Sequence, residues 1–112
     1  MVALICILKD YRRVEEVLLA LLELGVGGAT VLEGRGMGQI LGNEVPIFAG
    51  VRGMFPGSAS DSHVVLSVMD AALARTCLEQ IERIAGPLTS PGTGMAFTVP
   101  LGQVIGLCRP LD

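Results

Sequence analysis

Residues 20–39 read ALLELGVGGATVLEGRGMGQ, and three changes of pattern within this stretch decide the fold. The first residues finish an apolar helix that Gly25 ends. Positions 29–33 are apolar and partly β-branched, as in a strand, and after Glu33 glycine recurs too often for strand or helix to continue. A helix, a tight turn, a strand and then a loop form one half of a layered α+β domain.

Working back toward the N-terminus, residues 1–8 form an apolar run rich in Val and Ile that stops at Lys9–Asp10. This is the pattern of a strand buried on both faces. Across 11–24, Val14, Val17, Leu18, Leu21 and Leu22 recur at helical spacing, with Asp10 placed to cap the start. Residues 17–22 are apolar without a break and wrap the whole helix circumference, so the outer face of this helix is also expected to be covered.

Downstream, 36–62 is rich in glycine, contains Pro46 and Pro56, and ends in the polar run 58–62. It reads as a long loop, flexible over about 39–62, of the kind that carries function in compact domains. Residues 63–69 read as a third strand. Asp70 can cap a second helix with Leu73, Cys77, Ile81 and Ile84 on one face, ended by Gly86–Pro87. A second glycine- and proline-rich loop follows, then a strand over 95–99 that Pro100 ends, and a last short strand over 104–108.

This order predicts an α+β chain of ferredoxin-like βαββαβ topology, a single domain over 1–112 with a long loop between the second and third strands. Right-handed crossovers put both helices on one face of an antiparallel sheet and leave the other face bare and apolar. Charged residues make up 17% of the chain, against about 25% in ordinary globular domains. Together these features predict a homo-oligomer.

The same numbers exclude several function classes. The net charge is −3 and no basic cluster exists beyond Arg12–Arg13, so binding to a nucleic-acid backbone is not expected. The apolar N-terminal run is too short to span a bilayer and lacks a basic leader, which predicts a cytoplasmic chain with no membrane insertion. Cys6, Cys77 and Cys108 are widely spaced and odd in number, and read as small core residues rather than disulfides or zinc ligands. His63 and Asp61 alone do not make a metal site. With no nucleophile beside a base, enzyme activity is not expected.

Two segments together resemble one known family. The stretch 20–39 contains the pattern ELGxxGxTVxExxGxG, and 92–107, GTGMAFTVPLGQVIGL, contains GxGxxFxxP. Both are similar to signatures of the PII nitrogen-regulatory signalling proteins, and the similarity runs over nearly the whole chain. The resemblance implies a homotrimer with its sheets at the centre, a mobile T-loop between strands two and three, and an effector site in each cleft between neighbouring subunits.

On this resemblance the effector-binding positions are Thr30, the turn Gly36, Met37, Gly38 with Gln39, and the B-loop residues Gly92, Thr93 and Gly94. The resemblance implies an adenine nucleotide (ATP, ADP or AMP) as the candidate effector, with no cofactor required. Glycines suit such a site because a missing Cβ lets backbone N–H groups approach a phosphate; the alternative is that they serve only to make tight turns. The family's B-loop lysine falls at Met95 and its two C-terminal arginines fall at Gly106 and Cys108, so three phosphate-binding charges are absent. The family's modifiable loop tyrosine has no counterpart either, the sole tyrosine being Tyr11.

Phe48, Met54 and Phe55 are apolar residues in the long loop, suited to docking on a target protein such as an enzyme or transporter, or to folding back onto the trimer. The expected function is thus a PII-like regulator that senses a small effector and signals through its loop. The alternatives are a nucleotide-independent trimeric interaction scaffold, or a metal or small-anion binder on the same fold.

Overall fold

The computed structural model describes residues 1–44, 62–88 and 94–107. In chain order the elements are β1 (Val2–Leu8), α1 (Tyr11–Glu23), β2 (Thr30–Gly34), α2 (Met37–Glu44), β3 (Ser62–Met69), α3 (Ala71–Ala85) and β4 (Gly94–Pro100). The four strands form one sheet in the order β2-β3-β1-β4, and all neighbours are antiparallel. This mixed α+β arrangement is compatible with a ferredoxin-like fold.

Both predicted helix starts are present. The Asp10 carboxylate accepts from the Arg12 N–H at 3.0 Å, and Asp70 accepts from the Leu73 N–H at 2.8 Å. Each satisfies a backbone donor that the first helical turn cannot. At the far end of α1, Gly25 has φ +90°. The Val26 N–H donates to the Leu21 carbonyl and the Gly25 N–H to the Leu22 carbonyl, a Schellman ending that needs a left-handed residue at this position.

Register fixes the two faces of the sheet. Leu4 lies opposite Ser67 and Thr98, and Cys6 opposite Val65 and Ala96. On this side Leu4, Cys6, Leu8, Val65 and Met69 join Val14, Val17 and Leu21 of α1 and Ala74, Cys77 and Ile81 of α3 in the core. Fully burying a side chain such as Leu4, Leu8 or Ile81 contributes about 1.5–3 kcal/mol. The other face carries Ile5 opposite Leu66 and Phe97, and Ile7 opposite Val64 and Met95. Leu32 lies beside Val64 on the same face. Leu32 (50%), Met95 (55%) and Phe97 (38%) are exposed there.

Three expectations are corrected. The glycine-rich stretch after β2 is not loop from its start: 37–44 form α2, which begins where the Ile40 N–H donates to the Gly36 carbonyl at 3.0 Å. The helix forms despite glycine's poor helix propensity, with Gly38 and Gln39 buried in it. Residues 104–107 are not a strand; after the Leu101 N–H donates to the Met1 carbonyl, no sheet edge receives them, and Gly106 turns with φ +78°. Finally, β1 is not buried on both faces: Leu4, Cys6 and Leu8 are buried on one, and Ile5 and Ile7 are half-buried on the other. No helix among the described residues is long and apolar enough to cross a membrane.

Candidate functional site

The predicted site residues divide between two clefts. The first, ≈ 420 Å³, runs across one end of the sheet and touches all four strands: Ile7 and Lys9 from β1 and just beyond it, Gly34 from β2, Ser62 and Val64 from β3, and Gly94 and Met95 from β4, with Arg35 and Gly36 completing its rim. The second, ≈ 380 Å³, is lined by 28–30, 66–68 and 104–107. Thr30 belongs to the second cleft and Gly36 to the first. Thr30 begins β2 and Gly36 lies two residues beyond its end, with the strand itself spanning about 13 Å between them.

Of the glycines in the first cleft, Gly94 has a structural reason to be glycine and Gly36 stands close to a lysine. Gly94 has φ +134°, and a Cβ there would collide with the Ile7 carbonyl oxygen; the start of β4 lies directly on β1. At Gly36 a Cβ would stand 3.2 Å from the Lys9 Nζ, so the absence of a side chain leaves room for the ammonium. The Lys9 Nζ donates to the Ser62 Oγ at 2.8 Å across 53 residues of sequence. Among the described residues no carboxylate stands within ion-pairing distance of it.

Met37 is exposed and Gln39 is buried in the first turn of α2; neither lines the two clefts. Met95 brings an apolar side chain to the first cleft, so no charge comes from that position. Gly106 in the second cleft brings none either. Gly92, Thr93, Phe48, Met54, Phe55 and Cys108 lie outside the described residues.

The sequence reading missed Lys9 and Ser62. Period two along β1 puts Lys9 on the same face as Ile5 and Ile7, a signal that was available. The pairing of Lys9 with Ser62 depends on β1–β3 register and has no local signature.

His63 is half-buried beside this end of the sheet, opposite Leu8. Its ring meets Tyr11 edge-on, with centroids 5.2 Å apart, and its Nδ1 is enclosed with no hydrogen-bond partner among the described residues. It lines neither cleft. Among the described residues no group of three or more His, Cys, Asp or Glu side chains is placed to hold a metal ion. Cys6 and Cys77 are buried thiols. Desolvation pushes Cys6 up to about 11, and it raises Cys77 as well, with a smaller contribution from the Asp70 charge. Both are therefore protonated and poor nucleophiles at neutral pH.

No known protein-family model matches this chain, and no curated protein matches it significantly.

Proposed function

We propose that the chain is a PII-like regulatory protein, a cytoplasmic homotrimer without enzyme activity. It binds a small effector, of the adenine-nucleotide class, in clefts at the subunit boundaries and signals to a protein partner through the segment that begins at 39. The observation that carries this reading is the position of the first cleft. It is framed by Gly34, Gly36 and Gly94, and α2 leads directly from its rim into the rest of that segment. A ligand bound there stabilises one arrangement of α2 over others, which is what a switch requires.

The trimer is supported by the apolar open face of the sheet, which a single chain leaves partly exposed. It also offers a role for the two separate clefts, since Thr30 and Gly36 of one subunit are too far apart to hold the same end of a ligand. Neighbouring copies bring unlike clefts together.

A second reading, a nucleotide-independent interaction scaffold, is favoured by one observation: Met95 supplies no charge to the cleft. Calorimetric titration with ATP, ADP and AMP, each with and without magnesium, decides between the two after light scattering has given the subunit number. Micromolar binding of any of the three is the expected result. Binding of none of them leaves the scaffold reading.

A further inference from the structure

We propose that Lys9 is the anchoring cation of the first cleft and that its ligand is a small organic phosphate carrying a single phosphate group on an apolar or planar body, of which a nucleoside monophosphate is the simplest case. The proposal rests on the effector-binding reading of the same cleft and adds to it the residue that holds the ligand and the charge the ligand carries.

The lining divides by chemistry. Lys9 and Ser62 form a polar end; Ile7, Val64 and Met95 form an apolar wall. The cleft volume of ≈ 420 Å³ lies within the range of small-molecule sites, about 300–1,000 Å³. Lys9 is only partly exposed, and its ammonium has three hydrogens to donate. One goes to the Ser62 hydroxyl, a neutral acceptor that does not balance the charge.

A partly desolvated cation facing a hydroxyl and an apolar wall attracts an oxyanion more strongly than it would in water. Ser62 holds the ammonium toward the cleft and offers its own O–H to the same anion. A single lysine suits a ligand with a single phosphate group, about −2 at neutral pH. A triphosphate would bring further negative charge past Met95, an apolar side chain. The apolar wall then takes the body of the ligand, so that inorganic phosphate alone forfeits that contact.

The test is calorimetric titration of the full chain with AMP, adenosine, inorganic phosphate and ATP, on wild type and on Lys9→Gln, Lys9→Arg and Ser62→Ala. Wild type is expected to bind AMP about tenfold or more tighter than adenosine or inorganic phosphate, the scale of one charge-assisted hydrogen bond. Lys9→Gln is expected to bring AMP down to the affinity of adenosine and leave adenosine unchanged. Lys9→Arg keeps most of the AMP affinity, and Ser62→Ala loses part of it. In wild type, added salt weakens AMP and spares adenosine, and Ser62→Ala and Lys9→Arg read the same contact where Lys9→Gln fails to fold.

AMP binding that is indifferent both to Lys9→Gln and to salt overturns the role of Lys9 and leaves the effector reading standing. Inorganic phosphate binding as tightly as AMP overturns the organic ligand, and ATP binding more than about tenfold tighter than AMP overturns the single phosphate. No binding of any nucleotide to wild type removes the effector reading and this proposal with it.

Discussion

Cys6 lies at the middle of the central strand with no exposed surface, between α1, α3 and its neighbours in the sheet. Its sequence context, an apolar run without a partner cysteine, already marks it as a core residue, and burial gives that placement a measurable consequence. The thiolate is excluded from the folded interior, so its value moves from 9.0 to about 11, while the unfolded chain titrates near the ordinary value. Above pH 9 the unfolded state loses this proton first, and stability falls as pH rises toward 11. The loss attributable to Cys6 is expected to reach on the order of 2–3 kcal/mol. Urea unfolding of wild type and Cys6→Ala from pH 8 to pH 11 checks it: the alanine variant is less stable at pH 8, and the gap between the two narrows with pH. A constant gap would mean that the thiol is not desolvated. Glycine is harder to read at this scale. The same residue type closes α1 at Gly25, makes room for a lysine at Gly36 and avoids a backbone collision at Gly94, and sequence distinguishes the first only because a helical pattern precedes it.

The elements most legible in sequence are those whose pattern is local: α1 and α3, with their aspartate caps and apolar stripes, and β1 and β3, with their apolar runs. The two misread elements are the ones that local pattern does not determine. α2 carries Gly38 and Gly42 within eight residues, each costing about 1 kcal/mol against alanine, and it is shorter than an isolated helix needs to be. Gly38 and Gln39 are nonetheless buried in it. Residues 104–107 have strand composition but meet no sheet edge among the described residues. The candidate cleft shares this limitation, since Lys9, Gly36, Ser62 and Gly94 converge only through strand register. An element with few contacts to the other helices and strands is the first to open. Hydrogen exchange across 37–44 is therefore expected to be much faster than in the middle of α1 or α3, and AMP at saturation is expected to slow it while leaving those two helices unchanged. Exchange in α2 that matched α1 in the free protein would remove the physical basis for a switch at this point.

At the scale of the whole molecule, the low charge content and the open sheet face express the same fact. One face of β1, β3 and β4 is covered by helices, and the other presents Phe97 and Val99 exposed and Ile5, Ile7 and Leu66 half-buried, with Leu66 beside residues 104–107. Apolar sheet faces of this kind are covered in stable assemblies, where the buried centre of the interface is depleted in charge. Leu66 lies at the middle of that face, opposite both Ile5 and Thr30, and its side chain points away from the helix-side core. A charge there meets its copies, or the apolar surface of a neighbour, if the faces pack together, and meets water if they do not. Leu66→Asp is accordingly expected to convert the proposed trimer to monomers in sedimentation velocity while the far-ultraviolet spectrum of the fold persists. Leu4→Asp, on the covered face, is expected to unfold the chain instead, because it buries an unpaired charge. Leu66→Asp that sedimented as wild type would exclude this face as the interface, and would require the two clefts to work within one chain.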